Sequence, residues 1–259
     1  MMILDHPVAL VIGTVLCARR SAAEITAEAA ARRLRMPTDQ FLHIEAGQGH
    51  ITRTDIHRLC SLYRVPEEAV ALTSMATVPW HPGTERPRTA NNPLTAPRHD
   101  RAYGSTERLS TVMRHSGQVR WLSPSIPPPL RAPVLAAADD LPSARVTWPA
   151  PRPRDVFILD EKALKQAGRD TAAQIRHLLG LREAGAQIHL LPLPPHVGEV
   201  IELTLPGGTV LADGHLHPAY QESDERSTDI DNALAATISG TDPLQQAFAR
   251  QTAGERSVR

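Results

Sequence analysis

Ile25-Thr26-Ala27-Glu28-Ala29-Ala30-Ala31-Arg32-Arg33-Leu34-Arg35-Met36-Pro37-Thr38-Asp39-Gln40-Phe41-Leu42-His43-Ile44-Glu45-Ala46-Gly47 decides the reading of this chain. Ile25 to Leu34 is a helix-forming run. Thr26 suits the N-cap, because its hydroxyl can accept one of the backbone N–H groups that the first turn leaves unpaired. The alanines allow close helix approach. Arg35-Met36 makes a tight turn. Pro37 then suits the start of a second helix, where its missing N–H costs nothing. Thr38 to Glu45 is that helix, with Phe41 and Ile44 inward and Leu34 across from them. Thr38, Asp39, Gln40 and His43 face out, and Gly47 closes the element.

Two short helices joined by a tight turn and steadied by a scaffold helix can present one helix to the major groove of duplex DNA. Working outward, Leu16, Cys17 and Arg20 fit the end of the scaffold helix. Asp55 to Tyr63 and Glu67 to Met75 supply two more helices, with Ile56, Leu59, Cys60, Tyr63 and Val70 expected inward. The candidate DNA-contacting residues are Arg32, Arg33, Arg35, Thr38, Asp39, Gln40, His43 and Arg53. The arginines flank the outward face and suit phosphate, while the side chains of the second helix suit base edges.

Residues 12–65 resemble the xenobiotic-response-element family of helix-turn-helix regulators. The matching residues are Gly13, Leu16, Arg20, Ile25, Thr26, Glu28, Ala31, Leu34 and the closing Ile44-Glu45-Ala46-Gly47. The resemblance implies a DNA-binding transcriptional regulator, and a structural pair in which Arg20 forks onto Glu45 and pins the scaffold to the recognition helix. The chain departs from the family's pattern at several positions. The family usually has Gly where this chain has Glu24 and Arg35, Gln where it has Ala27 and Thr38, and a basic or polar residue at His43. The recognition helix contains no Lys or Arg. Residues 1–65 hold eight Arg against six Asp and Glu, a net of +2. Such a charge leaves phosphate gripping to the flanking arginines. It also favours a homodimer, in which two half-sites multiply a weak contact.

Over 259 residues the chain is long enough for two domains. Lys+Arg and Asp+Glu are 28 each, which excludes a strongly basic nucleic-acid coat protein. Aromatic residues are 3%, which argues against a stacking platform for single strands. Only Lys162 and Lys165 are lysines. Cys17 and Cys60 form no CxxC pair and are expected as buried free thiols of a cytoplasmic protein. Pro7 to Ala18 is apolar, but Asp5 precedes it and Arg19 and Arg20 follow, the reverse of a secretory signal. The run is also too short to span a bilayer, so no membrane association is expected.

The expected fold class is α + α/β: an N-terminal five-helix helix-turn-helix domain over 1–76, a Pro-rich linker over 77–118, a C-terminal mixed α/β domain over 119–252, and a polar tail over 253–259. Residues 79–100 hold five prolines and read as linker. Residues 124–153 hold nine more, together with Ile126, Leu130, Val134, Leu135, Val146 and Trp148, and read as irregular chain packed on a surface. Val156 to Leu159, then a helix from Thr171 to Ala184, then Gln187 to Leu191, read as a parallel strand–helix–strand crossover. Val200 to Leu205 and Thr209 to Leu211 read as a hairpin around Pro206-Gly207-Gly208. Ile230, Leu234 and Ile238 mark a helix, and Leu244 with Phe248 a final short one.

The order of Val119–Leu122, Ile126–Leu130, Asp155–Leu164, Gln174–Leu179 and Ile188–Pro192 resembles actinobacterial regulators with a C-terminal antitoxin-like α/β domain of unknown function. That resemblance implies a domain that senses a small-molecule effector or a small protein partner. It departs at Pro128-Pro129-Leu130, where the family has a proline-glycine-leucine-leucine motif, and in a shorter insert before the Leu159-Asp160-Glu161 strand end. As an alternative, the chain is a regulator-derived enzyme or accessory protein of a specialised pathway, with the activity in the C-terminal domain. His215 and His217 are weak metal candidates: on a strand an HxH pair shares one face, and His189 or His196 could add a ligand. Asp160-Glu161 reads as a cap more than as acid–base machinery. No phosphate-binding or nucleophile motif is present, and no catalytic residue or cofactor is expected.

Overall fold

The computed structural model describes residues 6–76, 98–138, 146–166, 168–195, 197–222, 225–237, 243–247 and 249. In chain order its helices are α1 His6–Ala22, α2 Ala27–Leu34, α3 Thr38–Glu45, α4 Arg53–Leu62, α5 Glu68–Ala76, α6 Ser105–His115, α7 Pro133–Ala138, α8 Ala163–Gln166, α9 Thr171–Glu183 and α10 Glu225–Thr237. Its strands are β1 Arg98–His99, β2 Gln118–Ser123, β3 Val156–Asp160, β4 Gln187–Leu191, β5 Val200–Leu205, β6 Gly208–Asp213 and β7 Ala219–Glu222. The chain divides into two compact units, one from residues 1–117 and 203–223, the other from 118–202 and 224–259.

In the first unit α1 is the central element, packed by α3, α5, α6, β6 and β7. Its composition follows from that position. Val8, Leu10, Val11, Ile12, Val15 and Leu16 fall on every side of the helix, and all are buried. A helix that is apolar all round needs neighbours all round. Gly13 allows α3 to approach α1 closely: a Cβ there would lie 2.5 Å from the Glu45 carbonyl oxygen and 2.6 Å from that of Ile44. β6 and β7 run antiparallel, with Val210 opposite Glu222 and Asp213 opposite Ala219, and β1 adds Arg98 opposite Tyr220.

Of the segment expected as linker, 77–97 lies outside the described residues, whereas 98–117 carries β1 and α6 packed into the first unit. A buried fork holds it: Arg108 donates from Nε and Nη2 to Asp100 at 2.7 Å each, and from Nη1 to the Tyr103 carbonyl at 2.9 Å. Both side chains of that pair are almost fully enclosed. The buried face of α6 is largely polar, with Ser105, Thr106, Ser110 and Thr111 beside Leu109, Val112 and Met113. Thr111 satisfies its hydroxyl on the Glu107 carbonyl at 2.8 Å.

In the second unit β2, β3 and β4 are parallel, with Trp121 opposite Phe157 and Phe157 opposite Ile188. α9 makes the crossover from β3 to β4. All five residues of β3 are buried, as expected of a parallel strand covered on both faces. α10 packs on β2, β3 and β4 through Ile230, while Leu234 is half-buried; Ile238 and Phe248 lie outside the described residues. Gln174 of α9 fastens the irregular chain, accepting from Ala132 N at 2.9 Å and donating to the Leu130 carbonyl at 2.8 Å. Ile126, Leu130 and Val146 are buried there, but Val134 is exposed. Trp121 stacks near Trp148 and Phe157, with ring centroids 6.0 and 6.3 Å away.

Candidate nucleic-acid interface

The interface is built on α2 and α3. Thr26 caps α2, its hydroxyl accepting from Ala29 N at 3.2 Å. α2 ends where Arg35 turns left-handed at φ 58°, which lets Met36 N–H reach the Ala31 carbonyl at 3.1 Å. Glu24 adopts the same conformation at φ 56°. These are the two positions where the resembled family carries Gly. The left-handed conformation brings a Cβ close to the following carbonyl oxygen, so glycine adopts it freely while Glu24 and Arg35 carry that strain. Pro37 occupies the N-cap of α3, at φ −59°. Phe41 and Ile44 of α3 are buried, as are Leu34, Ala30 and Ala31 of α2, so the two helices share one core.

The outer face of α3 is open. Asp39, Gln40, Leu42 and His43 are exposed, and Thr38 is half-buried. Arg32 and Arg33 in the last turn of α2, Arg35 in the connecting turn and Arg53 at the first residue of α4 are also exposed. Asp39 lies in the first turn of α3, where a carboxylate complements the helix dipole. The face therefore combines polar side chains on the helix, the Asp39 carboxylate among them, with guanidinium groups on the elements around it, which offset that acid and suit a polyanion with readable edges.

Two ion pairs fix the frame beneath that face. Arg20 donates from Nε to Glu45 Oε1 at 2.7 Å and from Nη2 to Oε2 at 2.8 Å, and its Nη1 donates to the Ile25 carbonyl at 3.0 Å. This fork joins the end of α1 to the end of α3, and its hydrogen bonds hold the Arg20 pKa above the usual arginine value. The second pair is Arg19 with Glu68, which ties α1 to α5 through Nε at 3.0 and 2.9 Å to the two carboxylate oxygens. Sequence reasoning missed it, and its only trace is a basic residue followed 49 positions later by an acidic one. α4 starts with a reciprocal cap in which Asp55 N donates to the Thr52 hydroxyl at 3.1 Å and Thr52 N to the Asp55 carboxylate at 3.3 Å.

The structure corrects two details. Val70 was expected inward, but it is 68% exposed, because α5 turns Ala69, Leu72, Thr73 and Ala76 inward instead. His215 and His217 were expected on a strand. They lie instead in the loop between β6 and β7, after Gly214 turns left-handed at φ 72°. The loop is held by its backbone, the Leu216 carbonyl accepting from Ser105 Oγ at 2.8 Å. Among the described residues no group of three or more His, Cys, Asp and Glu could hold a metal ion. His196 lies outside the described residues, and Asp160 accepts from Lys162 N at 3.0 Å as the local cap of its turn.

Cys60 is buried and Cys17 half-buried, and both are free. Burial pushes the Cys60 thiol up to about 12. It also raises that of Cys17, to which the nearby Glu45 carboxylate adds. Neither is an activated nucleophile.

Comparison with known families agrees with this geometry. Residues 11–72 match the model of a helix-turn-helix domain. The match runs from within α1 to within α5, so it takes in the capped α2, the left-handed turn and the open α3. It supports a helix-turn-helix regulator. No curated protein and no solved structure matches the chain. No helix among the described residues is long and apolar enough to cross a membrane.

Proposed function

We propose that the protein is a DNA-binding transcriptional regulator of the xenobiotic-response-element type, acting as a homodimer. On this reading the outer face of the helix-turn-helix α3 enters the major groove. Gln40, His43 and Thr38 meet base edges there, and Arg32, Arg33, Arg35 and Arg53 hold phosphate on either side. The observation that carries it is the exposure of Arg32, Arg33, Arg35, Gln40, His43 and Arg53, with Thr38 half-buried beside them, above a recognition helix anchored by the Arg20–Glu45 fork. The second unit, a parallel sheet flanked by α9 and α10, serves as the sensing part, for a small-molecule effector or a small protein partner.

Phosphate neutralisation gives a quantitative test. Four arginines per protomer predict a slope of log K against log salt of about −3.6, or about −7 for a dimer on two half-sites. Between about 50 and 200 mM salt the protomer value corresponds to a roughly 150-fold loss of affinity. Retardation of a mixed duplex pool across that range tests the proposal. No retardation at the low end, or a slope near zero, refutes it.

A further inference from the structure

The second unit contains a cavity of about 480 Å³, within the size range of small-molecule sites. It opens where β3 and β4 end, among α8, α9 and the helical residues 243–247. Leu164, Ile175 and Leu190 form its apolar floor and are themselves buried. Lys162, Lys165 and Glu161 line it with exposed, charged side chains. The cavity therefore collects every lysine of the chain, and the other 26 basic residues are all arginines. Among the described residues neither ammonium has a carboxylate partner. Two ammonium groups and one carboxylate leave a net charge of +1 beside an apolar floor. A dianion is disfavoured by Glu161, and a neutral ligand leaves both ammonium groups without a counter-charge.

We propose that this cavity is the effector site and that its ligand is a monocarboxylate with an apolar body, the carboxylate meeting Lys162 and Lys165 and the body replacing water over Ile175 and Leu190. The proposal rests on the reading of the second unit as a sensor, and it is independent of how α3 meets DNA. A lysine is a compact, strongly hydrated cation on a flexible stem, able to follow a carboxylate at the mouth of a cavity.

The composition of the chain supplies a clean assay. Apart from the α-amino group, an acetylating N-hydroxysuccinimide ester can modify amines only at Lys162 and Lys165, each read by mass spectrometry on the full chain. Decanoate is the probe, with decanol and decyltrimethylammonium as controls of equal apolar length. Decanoate is expected to slow acetylation of both lysines saturably and to raise the thermal midpoint, while the controls do neither. The Lys162→Gln/Lys165→Gln variant, followed by thermal shift, is expected to bind decanoate about tenfold more weakly. Ala247→Trp, which narrows the cavity, is expected to weaken the shift while keeping the circular dichroism of the parent. Absence of protection, equal protection by decanol, or an undiminished shift in the double lysine variant overturns the proposal and leaves the DNA reading untouched. Protection without any change in duplex retardation upholds the site and overturns its role as a sensor.

Discussion

Replacing Glu45 by Ala removes one half of the fork that joins α1 to α3. The two hydrogen bonds are 2.7 and 2.8 Å long, and the side chains of Arg20 and Glu45 are 14% and 5% exposed. Breaking a fully buried pair by removing one partner costs about 3–5 kcal/mol, because the remaining charge is left without compensation. Arg20 keeps its bond to the Ile25 carbonyl and some contact with water, which places the expected loss at the lower end, about 3 kcal/mol. For a chain of this size that corresponds to a fall in Tm of about 6–12 °C. Circular dichroism at 222 nm during heating measures it for Glu45→Ala, Arg20→Ala and the double variant. The double variant should lose less than the sum of the singles, since neither charge is then stranded. Arg19→Ala, at a pair whose arginine is 29% exposed, should cost less than half as much. A change below about 1 °C for Glu45→Ala, or strict additivity across the cycle, would refute the assigned role of the fork.

A Cβ at Gly207 would lie 2.1 Å from the Ala46 carbonyl oxygen, so Gly207→Ala should cost about 1–3 kcal/mol of stability and weaken duplex binding through the end of α3. Gly180→Ala meets nothing within 4 Å in α9 and should instead raise stability slightly in the same melting assay. Glu24→Gly relieves a left-handed residue at φ 56° and should gain about 1 kcal/mol in urea titration, and a loss would count against the strain argument. Stability should also fall with rising pH above about 9. The buried Cys60 thiol keeps its proton to about 12 in the folded chain, against a usual value of 9.0, so unfolding releases a proton between those limits. The slope from this group is up to about 1.4 kcal/mol per pH unit, and urea midpoints at successive pH values should show it flattened in Cys60→Ala.

The stretch from Thr26 to Gly47 was legible because local rules and tertiary packing agree there. The Thr26 hydroxyl, the Pro37 block and the spacing of Phe41 and Ile44 each specify a boundary or a face, and α2 and α3 form between those signals. α6 was unreadable for a physical reason. Half of its buried residues are Ser and Thr, with Ser105 and Thr106 donating to the Leu216 carbonyl and Thr111 to that of Glu107, so Leu109, Val112 and Met113 leave only a short apolar pattern. The Asp100–Arg108 pair that holds it joins residues whose burial no charge pattern announces. His215 and His217 misled because alternation suggests a strand, while Gly214 and Pro218 end the pairing on both sides of the loop. The apolar run from Pro7 to Ala18 had a plainer message than its likeness to an export signal: it is a helix enclosed on all sides. The lysine-lined cavity gathers the turn after β3, β4, α8, α9 and residues 243–247, a convergence that only the folded chain displays.

The central claim is that α3 reads sequence while the surrounding arginines hold the backbone. Selection of bound fragments from a random duplex library, run in parallel with the full-length protein, Gln40→Ala and Arg33→Ala, tests it most directly. The account predicts that the parent enriches a two-fold-related motif, that Gln40→Ala shifts or loses preference at defined positions, and that Arg33→Ala keeps the motif with uniformly weaker binding. Enrichment of no motif by the parent, or an unaltered motif from Gln40→Ala, would contradict it.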